Sequence, residues 1–255
     1  MSRIEEAIIL AAGAGTRLRE ASDSKPLCRV AGRALIDHAI AGLASAGIGH
    51  IIVVTGYEAD RVEAHLAATG QPVEVDVVRT PDWRGPNGVS ALAARPAMTA
   101  GESLLVMADH LVDPALYRLA AEQGAGPGLR LVIDRRLEHP WIDDEDVTRV
   151  RTEGKRIRAV GKLMAQHDAY DTGVFAVGQP LFDTLAALDD PSLSEAVTLL
   201  AEQGRAETID SGGKDWIDVD DPRALAIAED WWRSGPALSE ALGGSHGKKG
   251  EQGCA

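Results

Sequence analysis

Gly13, Gly15, Thr16, Arg17 and Lys25 are the residues of this chain best suited to handling phosphate. They follow an apolar run, Leu10, Ala11 and Ala12 being its last members, so a buried strand opens into a loop of bare backbone N–H groups and two fixed positive charges. Glycine permits positive φ and close backbone approach. N–H groups in such a loop meet phosphate oxygens, and Arg and Lys offset their charge. The stretch is not a Walker loop, because no Gly-Lys-Ser/Thr follows, and Leu18 stands where a dinucleotide fingerprint needs its third glycine. A strand and a tight turn would explain Gly-x-Gly alone. Thr16, Arg17 and Lys25-Pro26 together favour a phosphate loop.

Asp109 ends the apolar stretch Leu104-Leu-Val-Met-Ala. A carboxylate at the end of a buried strand can hold a divalent cation, and magnesium takes one or two carboxylates together with phosphate oxygens and water. A loop or N-cap aspartate is the plainer alternative. Asp218, Asp220 and Asp221 precede Pro222, where an acid could simply cap a helix; Asp220 or Asp221 suits that task, whereas Asp218 lies within a short strand. Of the scattered histidines only His110, beside Asp109, stands out. No His/Cys spacing suggests zinc, and no Gly-x-Ser-x-Gly elbow is present.

Positioning these residues calls for an α/β scaffold. Strands are expected over residues 7–12, 51–55, 73–78, 104–107 and 129–134, with helices over 34–46, 59–68, 90–100 and 114–122. Pro96 should interrupt or end the third helix. Residues 147–151 and 156–160 alternate apolar and polar side chains around Thr152-Glu153-Gly154-Lys155, which reads as a hairpin. A strand over 171–177, helices over 181–188 and 194–203, a strand over 216–219 and a helix over 222–232 complete the pattern. Repeated β-α-β units imply a Rossmann-like, mixed but mostly parallel sheet flanked by helices, with the hairpin inserted. Ligands of open α/β sheets bind at the carboxyl ends of strands, so residues 13–17, Gly56-Tyr57 and Asp109 should share one crevice.

The chain has 255 residues, enough for one sizeable domain, expected over residues 1–235; residues 243–255, rich in glycine and lysine, read as a disordered tail. A net charge of −13 argues against nucleic acid as partner and leaves an anionic substrate to local positive groups. Two distant cysteines, Cys28 and Cys254, make neither a disulfide framework nor a metal site. No signal-peptide pattern and no apolar run of membrane-spanning length are present, so a cytoplasmic protein without membrane insertion is expected.

The opening motif resembles that of the nucleotidyltransferases that include sugar-1-phosphate pyrophosphorylases and small-molecule cytidylyltransferases. The matching pieces are residues 10–18, Lys25-Pro26-Leu27 and Val30-Ala31-Gly32, with Ser24 and Ala34 where the family often has proline. The resemblance covers roughly residues 5–230. It implies the nucleotide-diphospho-sugar transferase fold, with nucleotide binding in roughly 1–135 and acceptor binding in 136–235. It implies Mg2+ held by Asp109 and Asp218, Asp220 being the substitute for the second carboxylate. It also implies that Lys162, after the hairpin, contacts the acceptor phosphate, that Asp171 in Asp171-Thr172-Gly173 lies near the acceptor, and that the loop at Asn87, Gly88 and Ser90 reads the nucleobase. For each a plainer reading stays open: a solvated lysine, a turn aspartate, and an N-cap by Asn87 or Ser90. His110 could support the metal site or bind the acceptor.

The reaction implied is attack of an acceptor phosphate on the α-phosphorus of a nucleoside triphosphate, with release of pyrophosphate. Arg17, Lys25, Asp109, Lys162 and Asp218 would carry it. Asp109-His110, Asn87-Gly88-Val89-Ser90 and the run from Asp171 to Phe175 make the chain most similar to the CTP:inositol-1-phosphate cytidylyltransferases. Other readings are a sugar-1-phosphate or phosphocholine nucleotidyltransferase, a molybdenum-cofactor guanylyltransferase, a nucleotide-sensing module without turnover, or a nicotinamide dehydrogenase, which the missing glycine disfavours. The partners expected are small molecules, and the sequence leaves the oligomeric state open, a homodimer included.

Overall fold

The computed structural model describes residues 3–18 and 22–234; the tail expected over residues 243–255 and Cys254 lie outside them. In chain order the strands are β1 (Glu6–Ala11), β2 (Arg29–Val30), β3 (Arg33–Ala34), β4 (His50–Thr55), β5 (Glu74–Arg79), β6 (Glu102–Met107), β7 (His110–Val112), β8 (Leu129–Asp134), β9 (Arg149–Glu153), β10 (Arg156–Gly161), β11 (Ala169–Gly178), β12 (Ala206–Asp210) and β13 (Trp216–Asp218). The helices are α1 (Leu35–Ser45), α2 (Ala59–Ala68), α3 (Asn87–Ala94), α4 (Pro114–Gln123), α5 (Gln179–Ala186), α6 (Leu193–Glu202) and α7 (Pro222–Ser234).

Nine strands form one mixed sheet in the order β5-β4-β1-β6-β11-β8-β12-β10-β9. The pairs β5–β4, β4–β1, β1–β6 and β8–β12 are parallel, whereas β11 runs antiparallel to both β6 and β8. The hairpin β9–β10 extends the sheet, and the first residues of β11 pair back onto β9. The mixed α/β sheet flanked by helices is the expected one, but it is not mostly parallel: parallel pairing is concentrated in the N-terminal half, and the pairings that β11 and the hairpin add are antiparallel.

The central strands are apolar throughout because both faces are covered. Ile9, Ile51 and Val53 pack on one face with Ile40 and Leu43 of α1, Val62 of α2 and Leu116 of α4. Ile8, Ile52 and Val54 pack on the other with Ala91 of α3, Leu185 of α5 and Leu200 of α6. The alternation is the period-2 rule for a strand buried on both sides. A third cluster joins Leu18, Val30, Leu35 and Ile217 to Trp231 and Trp232 of α7, which packs beside the glycine loop at residues 13–17 from outside the sheet.

Four local differences from the expected elements have simple causes. The helix expected over 90–100 is α3, which begins earlier and stops at Ala94, giving way to a 3-10 turn at Arg95–Ala97 as Pro96 removes a donor. Neither Asn87 nor Ser90 caps it: Pro86 holds that position, Asn87 Oδ1 accepts instead from Leu193 N at 2.9 Å, and Ser90 is buried. Residues 206–210, for which no strand is expected, form β12, completed by its parallel partner β8. The short strands β7 and β13 pair antiparallel in a separate two-stranded sheet, with Asp218 opposite His110.

Candidate active site

The glycine loop at residues 13–17 leaves β1 at its carboxyl end. Leu10 O accepts from Ala108 N at 3.1 Å, which draws the turn after β6, and Asp109 with it, against the loop. Ala12 O accepts from Tyr57 N at 2.9 Å, and Gly56 packs so closely on Ala12 that a Cβ could not be accommodated. The three strand ends therefore meet as expected. Gly15 has φ +52°, and a Cβ there would fall on the Lys25 side chain. Its lack of a side chain makes room for Lys25, which turns back into the crevice.

Lys25 is only 7% exposed, and its Nζ lies 2.5 Å from Asp109 Oδ2, 3.4 Å from Asp218 Oδ1 and in contact with Asp220. Burial would lower the pKa of this ammonium, but Asp109 and Asp218 outweigh it and hold the pKa above its ordinary value. Burial would likewise raise Asp218, yet His110 and Lys25 keep it well below the usual carboxylate range. Asp221 Oδ1 accepts from Ala224 N at 2.7 Å and so caps α7, which leaves Asp220 free to turn inward with Asp218.

Arg17 pairs with Asp220 at 2.5 Å and with Asp146, and Lys162 pairs with the same Asp146 carboxylate. Burial would raise the Asp146 pKa, but the two cations bring it below its ordinary value. His110 donates from Nδ1 to Thr172 O at 2.9 Å, which turns Nε2 toward Asp218 at 3.6 Å and Asp109 at 3.9 Å. Although burial opposes it, the charge of Asp218 pushes the His110 pKa up to about 9. Gly173, with φ +76°, lies so close under the His110 ring that a Cβ there would overlap it. Asp171 Oδ1 accepts from Gly173 N at 2.7 Å, shaping the turn, and burial pushes its pKa up to about 6.

Two clefts meet at these acids. The smaller is lined by Ala11, Gly13, Gly15, Thr16, Arg17 and Lys25. The larger is lined by Asn87, His110, Lys162 and Asp171, together with Trp141, Asp143, Asp146 and Arg223. Asp109 and Asp220 belong to both, and Asp218 to the larger. Leu10, Ala12, Gly88 and Ser90 are not among the lining residues; a Cβ on Gly88 would strike the Pro191 carbonyl, so that glycine serves packing of α3. Asp146, Trp141 and Asp143 escaped the sequence reading. The acidic run Asp143-Asp144-Glu145-Asp146 was the signal available, but such a run ordinarily marks a solvated loop.

Asp109, His110 and Asp218 offer ligand atoms within 4.8 Å of one another, and so do Asp146, Asp218 and Asp220. Hard anionic oxygens predominate in both sets, which suits magnesium better than a transition metal.

A family model described as the MobA-like NTP transferase domain matches residues 7–209. The chain belongs to that family. Among curated relatives of this NTP transferase, a bifunctional IPC transferase and DIPP synthase of Rubrobacter xylanophilus is 35% identical over 90% of the chain and 53% of its own length. A protein of the same description from Aquifex aeolicus is 29% identical over 89% of the chain and 51% of its own length. The chain thus spans about half the length of these relatives. The solved inositol-1-phosphate CTP transferase from T. maritima superposes with a TM-score of 0.81 at 26% identity, covering 95% of this chain and 98% of that one. Asp218 and Asp220 lie beyond the matched family segment, so the NTP transferase domain reaches its acidic crevice only with β13 in place. Among the described residues no helix is long and apolar enough to cross a membrane.

Proposed function

We propose that this chain transfers a cytidylyl group from CTP to inositol 1-phosphate. An oxygen of the acceptor phosphate attacks the α-phosphorus of CTP. The bond from that phosphorus to the bridging oxygen breaks, and pyrophosphate leaves with the electron pair, giving CDP-inositol. The acceptor phosphate is already anionic near neutral pH, so no strong general base is needed. The task is to bring two polyanions together and stabilise the charge that develops between them. The meeting of both clefts at Asp109 and Asp220, with Lys25 between them, is the observation that carries this reading.

The roles follow from position. Gly13, Gly15 and Thr16 receive the triphosphate, Arg17 holds the departing pyrophosphate, and Lys25 neutralises the reacting phosphates. Lys162 holds the acceptor phosphate, while His110 and Asp171 face the acceptor. Asp109 and Asp218, with Asp220 beside them, would hold Mg2+, which when bound supplies charge neutralisation at the α-phosphate. Asp146 releases Arg17 and Lys162 to the two substrates as these arrive. Asn87 would face the base through its amide N–H group, because its oxygen is already bonded to Leu193 N. The names and coverage of the relatives support both the donor and the acceptor, and residues 1–235 act as one domain in this reading.

Incubation with each nucleoside triphosphate, Mg2+ and inositol 1-phosphate, read by pyrophosphate release, tests the proposal. CTP with inositol 1-phosphate should be the productive pair. Release with glucose 1-phosphate alone would move the chain to the sugar pyrophosphorylases, and CTP binding without release from any acceptor would make it a sensing module.

A further inference from the structure

We infer that Asp134 is a positioning residue that acts through the Trp216 indole on His110 and Asp218. The inference rests on the reading above, in which Asp218 holds the metal. Asp134 closes β8 and is 1% exposed, a placement tolerated by a carboxylate only when it is paired and hydrogen-bonded. It lines neither cleft. Its Oδ2 accepts from Trp216 Nε1 at 2.9 Å and from Arg136 Nη2 at 2.8 Å, and its Oδ1 accepts from the Arg136 backbone N at 2.9 Å. Arg136 then reaches forward, from Nη1 to Asp215 Oδ1 at 2.8 Å and from Nη2 to Lys214 O at 3.0 Å. Lys214, Asp215 and Trp216, the approach to Asp218, are thus all tied to one buried carboxylate.

The Trp216 ring transmits that restraint. It is 2% exposed and stacks on the His110 ring, with centroids 5.9 Å apart and planes 20° from parallel. The N–H edge of the indole is held by Asp134, and its face carries His110. His110 is itself fixed by its bond to Thr172 O and by pairing with Asp218 across the β7–β13 register. Asp113 N donates to Asp215 O and Val219 N to Asp109 O, so both ends of β13 are sewn to the segment that carries Asp109 and His110. Swinging the indole would move the His110 ring and the strand bearing Asp218 together.

Trp216→Phe keeps an aromatic face and removes the N–H; Asp134→Asn keeps volume and an acceptor oxygen and removes the charge that Arg136 requires. Each is measured for Mn2+ affinity by electron paramagnetic resonance without substrate, for kcat of pyrophosphate release, and for melting temperature, beside an Asp218→Asn reference. Both variants should weaken Mn2+ binding and lower kcat by about tenfold or more, and Trp216→Phe should add little to the Mn2+ loss in the Asp218→Asn background. A lower melting temperature with Mn2+ affinity and kcat within about twofold of the parent would make Asp134 structural only and overturn the inference. Should Asp134→Asn fail to fold, Trp216→Phe decides by its Mn2+ affinity without substrate, because Trp216 also lines the larger cleft and could change kcat directly. If Asp218→Asn weakens Mn2+ binding and Trp216→Phe does not, only the positioning role falls; if Asp218→Asn leaves Mn2+ binding intact, the metal reading falls and takes this inference with it.

Discussion

Lys25 shows how one side chain can be committed by its surroundings. Its ammonium is nearly buried and faces Asp109, Asp218 and Asp220, so it stays charged and balances carboxylates that would otherwise repel one another. In the proposed reaction that charge falls where the phosphates meet. Lys25→Ala should lower kcat by about a hundredfold or more, the usual cost of removing one preorganised charge from a transition state. Unchanged turnover in a pyrophosphate-release assay would remove Lys25 from the chemistry. Lys25 and Asp109 were singled out by residue type beside apolar runs and Lys162 only through the family resemblance, and all three line the clefts. Asp146 was not legible. It lies in a loop between β8 and β9, and its contact with Arg17 spans more than half the chain.

At the scale of elements, α3 and the start of β1 carry the clearest expectations. Gly88 of α3 faces the Pro191 carbonyl, a backbone atom that cannot move aside for a methyl group. Gly88→Ala should therefore cost about 1–3 kcal/mol of stability in a denaturant titration, despite alanine's better helix propensity. A stability equal to the parent's would contradict that packing.

The amino end of β1 holds Glu6, 2% exposed, which accepts from Thr99 N and Oγ1, Ser103 Oγ and His50 Nδ1. Burial would raise the Glu6 pKa, but these hydrogen bonds bring it below its ordinary value of 4.5. Burial would lower His50, but Glu6 and Asp76 bring it above 6.5. A depressed carboxyl contributes stability above its unfolded pKa and loses it as pH falls; a raised imidazole contributes below its unfolded pKa and loses it as pH rises. The pair therefore supports the fold best between about pH 4.5 and 6.5. The melting temperature of the parent should exceed that of Glu6→Gln most within that window, and a difference that does not vary with pH would refute the linkage.

Across the whole molecule, charge would govern how the proposed substrates enter. A chain of net charge −13 gathers Asp109, Asp146, Asp218 and Asp220 at its crevice, so its global field repels the polyanions it is proposed to bind. A divalent cation held by these acids, as proposed, would resolve that conflict. Millimolar Mg2+ should raise the melting temperature, as any ligand of the folded state does, and EDTA should abolish pyrophosphate release until Mg2+ is restored. Full turnover in EDTA would exclude the metal role.

The sequence by itself determined the apolar strands, the helices that cover them and the loop at residues 13–17, because these depend on local periodicity and on glycine. It also pointed to the family, since the motif at residues 10–18 and Lys25-Pro26-Leu27 lie close together in the chain. Tertiary structure alone decided the rest. β12 became a strand because β8 offered its edge, and β13 turned Asp218 inward because it found β7 and the Asp134–Arg136 anchor. Asp220 joined the crevice because it met Lys25 and Arg17 there. Each of these rests on a partner distant in sequence, and local pattern carries no record of which distant partner a residue will meet.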